Sequence, residues 1–292
     1  MRLTALMENK AKEGLACEHG LAVHIGFSGR QYLLDTGASE QFLGNAEQLG
    51  IALGQVDAGV LSHSHYDHSG GYPGFFARNS KAKVYIQSAA REACYARVLF
   101  LRRYIGIPQG VLDAYADRFV TVEGDAQIDP GVWLIGHKTQ GLQSKGKRAG
   151  MYRQTARGWR PDDFAHEQSL VFETDGGLVL LNSCCHGGAD VIVEEVQAAL
   201  PGRPVRALVG GFHLMGRMGP DSLGPKPQEV RRLAQRLLQL GVQQVYTGHC
   251  TGNPAFQLLQ EELGDRLHYL EAGTVVEFER LPLRGEAVGA AD

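Results

Sequence analysis

The stretch Leu61-Ser62-His63-Ser64-His65-Tyr66-Asp67-His68-Ser69-Gly70-Gly71 gathers three imidazoles and a carboxylate within six residues, directly after an apolar run ending in Val60-Leu61. In an extended chain, side chains two apart point the same way, so His63 and His65 can grip one ion together. Asp67 and His68 follow where the chain turns, and Ser69-Gly70-Gly71 permits a tight bend that aims them at a neighbouring point. Imidazole and carboxylate without thiolate suit a borderline first-row ion, Zn first, with Fe or Mn as alternatives. The chemistry such a set supports is hydrolysis: a bound ion lowers the pKa of water from about 15.7 to about 7.

Three or four protein ligands hold one metal, and a second needs more. His186, in Ser183-Cys-Cys-His-Gly-Gly188, and His249, in Tyr246-Thr-Gly-His-Cys-Thr-Gly252, each follow a buried-looking strand and lie beside glycine, as the first cluster does. They complete the expected set: His63, His65 and His186 for one ion, and Asp67, His68 and His249 for another. Asp67 is also the expected catalytic group, orienting an attacking water and protonating the leaving group. His166, His213 and Cys184 are candidates for contact with substrate or for support of the ligands, and His166 and Cys184 are alternatively ligands themselves. The thiols Cys184 and Cys185 otherwise read as buried and neutral.

The elements that must position these residues follow from pattern. The chain has 292 residues, 43% of them hydrophobic, and a net charge of −3, which gives no general affinity for nucleic acid or membrane. Met1 to Lys10 has no apolar core of signal-peptide length, and no run approaches 18 apolar residues, so a cytoplasmic location is expected. The five cysteines have no framework spacing, which agrees with reduced thiols. Strands are expected at 2–7, 21–25, 32–34, 58–61, 83–87, 120–128, 131–135, 169–174, 178–181, 205–209, 242–247 and 273–278. Helices are expected at 42–49, 73–77, 191–200, 227–240 and 256–263. Residues 88–119, rich in arginine and tyrosine, read as helical, and 137–163 as a polar, basic loop. Gly141-Leu-Gln-Ser-Lys-Gly146-Lys147 imitates the start of a phosphate-binding loop by chance, with Arg148 where Ser or Thr would bind Mg²⁺. The tail from Leu281 reads as frayed. The second half repeats the element order of the first, with a histidine at the strand ends.

His-Ser-His-Tyr-Asp-His resembles the HxHxDH signature of the metallo-β-lactamase fold superfamily. Ser-Cys-Cys-His-Gly-Gly, Gly210-Gly-Phe-His-Leu214 and Tyr-Thr-Gly-His-Cys-Thr-Gly resemble the branch similar to dihydropteroate or methanopterin-precursor (ribofuranosylaminobenzene phosphate) synthases. The resemblance implies an α/β fold, the αββα sandwich: two facing β-sheets with outer helices and a site along one edge. The expected organisation is a single domain, 1–292, with an insertion at about 88–163. The resemblance also implies that Asp35, in Leu34-Asp-Thr-Gly37, supports the ligand loop through hydrogen bonds. The chain departs from the pattern at Asn182-Ser183-Cys184, where most members carry a bridging Asp, so Cys184 or His186 must take that place.

The leading expectation is a metal-dependent hydrolase with one or two ions, acting on a small anionic substrate such as a phosphoester or a pterin or nucleotide derivative. Self-association is left open. A metal-dependent transferase of pterin biosynthesis, condensing two substrates with loss of diphosphate, is the rival within the same fold. A non-catalytic metal-dependent sensor is another rival. A cysteine nucleophile at Cys250, in Gly248-His-Cys-Thr-Gly252, would leave the 63–68 cluster unexplained.

Overall fold

In the computed structural model, which describes residues 1–278, two seven-stranded sheets face each other. The expectation for the tail from Leu281 lies outside the described residues. Along the first sheet the strands run Val275–Glu277, Arg2–Met7, Ala22–Phe27, Arg30–Leu34, Ala58–Val60, Lys83–Gln87 and Phe119–Val122. Along the second they run Leu267–Tyr269, Gln244–Thr247, Val205–Val209, Gly177–Leu181, Gln168–Thr174, Val132–Gly136 and Ala126–Asp129.

Both sheets use one device. An antiparallel hairpin (22–27 with 30–34; 168–174 with 177–181) is followed by parallel partners, with Leu34 opposite Val60 and Leu181 opposite Val209. Parallel strands are buried on both faces and therefore read as continuous apolar runs. In Leu178-Val-Leu-Leu181, Val179 and Leu181 pack on the facing sheet, against Val23, Ile25, Tyr32 and Leu34. Leu178 and Leu180 instead meet the outer helices Ala189–Ala199, Pro227–Gln239 and Asn253–Leu263 through Ile192, Val196, Leu237 and Leu259. Gln41–Gln48 and Tyr72–Arg78 cover the other sheet through Phe42, Ala46, Tyr72 and Phe75. The αββα order is complete, and the carboxyl ends of five strands (30–34, 58–60, 177–181, 205–209, 244–247) lead straight into the residues singled out above. None of the described helices is long and apolar enough to cross a membrane.

The segment 88–163 differs from expectation. The strands expected at 120–128 and 131–135 are present, as 119–122, 126–129 and 132–136, but they belong to the two main sheets, and 88–119 is only briefly helical. Ala93–Val98 and Leu101–Tyr104 form a hairpin that joins Met151–Thr155 and Gly158–Pro161 in a separate four-stranded sheet. The alternation of tyrosine and arginine belongs to strands: Tyr95 packs on Tyr104 and Trp159, and Arg102 stacks 4.1 Å over Trp159. Within the expected loop, Gln143–Ala149 is a helix, so the Gly-rich imitation of a phosphate loop is mostly helical itself. Arg153 is buried and tied to Glu92 and Asp163, which anchors this sheet beside the strand ends.

Candidate metal centre

Six imidazole and carboxylate side chains converge at the strand ends in two adjoining clusters. The first holds His63, His65 and His186, whose ligand atoms lie within 4.8 Å of one another. The second holds Asp67, His68 and His249: His68 Nε2 is 3.2 Å from His249 Nε2, and Asp67 Oδ2 lies 3.4 and 3.5 Å from those two nitrogens. Instead of a simple turn, Tyr66–Ser69 is one turn of helix, with Asp67 and His68 inside it. The glycine after it is required. A Cβ on Gly70 would stand 1.9 Å from the carbonyl oxygen of Ala38, so Gly70→Ala should displace the ligand loop and lower the melting temperature of the metal-free protein.

Hydrogen bonds fix which ring nitrogen faces the centre. Asp35, with φ of +58° and completely buried, accepts from Ser62 N (2.7 Å), Ser62 Oγ (2.6 Å), Ser183 Oγ (2.6 Å) and His68 Nδ1 (2.8 Å). Ser62 spends its only proton on Asp35, so it accepts from His63 Nδ1 at 2.8 Å. Glu167 accepts from His186 Nδ1 at 2.9 Å, and Asn9 Oδ1 accepts from His249 Nδ1 at 2.9 Å. In all four rings the proton sits on Nδ1 and the Nε2 lone pair is left for the centre, the orientation that partners of metal-bound histidines impose. His63 Nε2 and His65 Nε2 are buried with no hydrogen-bond partner.

These observations fit a metal. Burial, reinforced by neighbouring imidazoles, holds His63 and His65 well below the ordinary histidine range, so both are neutral donors. Nε2 of His68 and Nε2 of His249 face each other at 3.2 Å, which only a shared proton or a cation between them makes favourable. Burial opposes charge on His68, but Asp67 and Asp35 outweigh it and push the imidazole up to about 10. The pull that holds a proton there would act on a divalent cation. Cys184 Sγ stands 3.3 Å from His68 Nε2 and 3.3 Å from Cys250 Sγ, at the place of the missing bridging Asp.

The remaining expected residues have mixed placements. His213, at φ +49°, packs its ring 4.5 Å from that of His186. Both nitrogens of His166 are engaged, by Ser64 N at 3.2 Å and Asp162 Oδ2 at 3.0 Å, beside the His65 ring. Cys250 is buried between Cys184 and the backbone N–H of His213.

Sequence reasoning missed His19, Glu8, Asn9, Glu167 and His137. No local motif marks them. Glu8 accepts from the backbone N–H of His249, which holds that residue at φ +49°. His137 donates to Glu167 Oε2 at 2.6 Å and to Glu195 Oε2 at 2.8 Å. Burial would lower His137, but the two carboxylates outweigh it and raise it to about 9. Because the folded value lies above the ordinary one near 6.5, this stabilisation is complete below pH 6.5 and is lost as pH rises through 9. Its size is about 3 kcal/mol at about 1.36 kcal/mol per pKa unit. Urea midpoints measured from pH 6 to pH 10 should fall in the wild type and fall less in His137→Gln.

Residues 18–143 match the metallo-beta-lactamase superfamily. The chain is 25% identical over 276 residues to 7,8-dihydropterin-6-methyl-4-(beta-D-ribofuranosyl)-aminobenzene-5'-phosphate synthase of Methanocaldococcus jannaschii, covering 89% of this chain and 90% of that protein. A solved structure described as a metal-dependent hydrolase of the beta-lactamase superfamily superposes with a TM-score of 0.79 at 28% identity, covering 95% of this chain and 99% of that one. The YhfI metallo-beta-lactamase fold protein of Bacillus subtilis shares the fold at 12% identity and a TM-score of 0.55, covering 94% of this chain and 99% of that one.

Proposed function

Because the chain has the fold of the metallo-β-lactamase superfamily, we propose that it is a metal-dependent hydrolase with a dinuclear centre, Zn being the first choice of ion. The observation that carries this is the pair of adjoining clusters whose bare nitrogens all face inward. His63, His65 and His186 would hold one cation. Asp67, His68 and His249 would hold the other, with Cys184 in reach of the second. Cations bound there would polarise a substrate oxygen and supply a water acidic enough to react near neutral pH. Asp67, anchored in its helical turn, would orient that water and return a proton to the leaving group. Tyr66 beside it feels the charge of Arg103 on the added sheet, and that basic edge favours a small anionic substrate such as a phosphoester. The substrate is expected in the cytoplasm.

A synthase of pterin type is the second reading, favoured by the 25% identity to the aminobenzene phosphate synthase over nearly the whole of both chains. The two differ in product: hydrolysis takes up one water, whereas condensation needs a second organic substrate and releases diphosphate.

Elemental analysis tests the centre. About two metal ions per chain are expected in the wild type, and fewer than about one in the double variant His63→Ala, His249→Ala. A wild type purified without chelator that carries none would sink both readings.

A further inference from the structure

We propose that His19 is a substrate-facing hydrogen-bond donor at the second cluster, and not one of its ligands, because Asn9 fixes His19 and His249 in opposite tautomers. The inference rests on the metal-dependent reading above.

His19 lies on the loop after the first strand, and that loop is pinned on both sides of it. Glu18 accepts from Ala38 N at 2.9 Å, Ser39 N at 3.0 Å and Ser39 Oγ at 2.6 Å. Gly20 sits so close to the ligand loop that a Cβ would lie 2.6 Å from the carbonyl oxygen of Asp67. Between these anchors the His19 ring stacks on His249, 4.8 Å centre to centre and 27° from parallel, with Nε2 3.4 Å from Asp67 Oδ2. Its side chain is 46% exposed, whereas those of His68 and His249 are 0% and 1% exposed. Of the three rings it is the one that meets solvent.

Distance alone would allow His19, Asp67 and His249 to share an ion. The protons decide otherwise. An amide's oxygen and nitrogen are assigned from the groups they meet. Asn9 meets two backbone groups whose roles are fixed: Gly20 N–H donates to Oδ1 (3.4 Å), and the carbonyl of His249 accepts from Nδ2 (3.4 Å). With that orientation set, Oδ1 faces His249 Nδ1 at 2.9 Å, which must carry hydrogen. Nδ2 faces His19 Nδ1 at 3.2 Å, which must be bare. A neutral imidazole has one N–H. His249 therefore keeps its Nε2 lone pair for a cation, and His19 carries its hydrogen on Nε2 with no lone pair left there. That N–H lies 3.4 Å from Asp67 Oδ2 on a half-exposed ring, and beside a cation pair such a donor suits an anionic oxygen of substrate, such as that of a phosphoryl or carboxylate group.

The tautomers can be read by long-range proton–nitrogen NMR on the full chain labelled with ¹⁵N-histidine and loaded with zinc, with His19→Gln assigning the His19 signals. The expected spectrum has His19 protonated at Nε2 and bare at Nδ1, and His249 the reverse. A His19 protonated at Nδ1 with a metal-shifted Nε2, or protonated at both nitrogens, overturns the proposal. In parallel, His19→Ala should keep the wild-type zinc content and weaken inorganic phosphate at least tenfold. His19→Gln, which restores an N–H, should recover part of that affinity. Loss of zinc in His19→Ala, or phosphate affinity unchanged by it, overturns the proposal. A wild type that binds no zinc strikes the metal-centre reading instead, and the spectrum still decides the assignment of Asn9.

Discussion

Asp35→Asn should lower metal affinity by about 10- to 100-fold, the usual cost of losing a hydrogen-bond partner of a metal ligand, with the second cluster hit hardest. The reason lies in the four donors that converge on this carboxylate: Ser62 N, Ser62 Oγ, Ser183 Oγ and His68 Nδ1. An asparagine keeps one acceptor oxygen for Ser62 N and turns an NH₂ group toward the other three. His68 then has no acceptor for its Nδ1 proton, and its relief is to move that proton to Nε2, where the cation would bind. Ser62 is disturbed in the same step, so His63 loses its fixed tautomer as well. Each stranded buried donor also costs about 1–3 kcal/mol of stability. Titration with zinc in a competing chelator, together with thermal unfolding of the metal-free protein, separates the two effects. Wild-type affinity in Asp35→Asn would refute the account.

The second large effect is expected at Glu167, which serves the other cluster. Its carboxylate accepts from His186 N (2.9 Å), His186 Nδ1 (2.9 Å), Gly187 N (3.1 Å) and His137 Nε2 (2.6 Å). Glu167→Gln replaces two of those acceptor positions with donors, in a side chain that is completely buried. His186 should swing away, leaving His63 and His65 without their third partner. The expected result is one metal ion per chain in place of two, with the ion of the Asp67, His68 and His249 cluster retained. Retention of both ions would show that His186 needs no anchor.

The clustered histidines and Asp67 were legible and the groups that hold them, Asp35 apart, were not, for a physical reason. His63, His65, Asp67 and His68 lie on one short stretch whose local geometry decides where they point, so spacing alone carries the chemistry. Asp35 was legible only through the resemblance, which carries an Asp in that place. Asn9 meets His249 across 240 positions, and no local pattern encodes that contact. Individual strands were similarly readable where they are buried on both faces, as in 178–181, and the sandwich that joins them came from the resemblance. The added sheet failed this reading because its strands are half-exposed and short, with arginines and tyrosines in place of an apolar run. Its hairpin turns through Leu99, at φ +54°, where no glycine or asparagine announces a turn.

Each cluster draws from both sheets: His63 and His65 with His186, and Asp67 and His68 with His249. An ion at either position would therefore act as a clasp across the seam between the two halves of the sandwich. At a free concentration about 1,000 times its dissociation constant, such an ion adds about 4 kcal/mol to the folded state. Chelation should thus be felt first as a loosening of sheet against sheet at this one edge. Amide exchange at the open ends of strands 58–60 and 177–181 would quicken before the opposite edge responds.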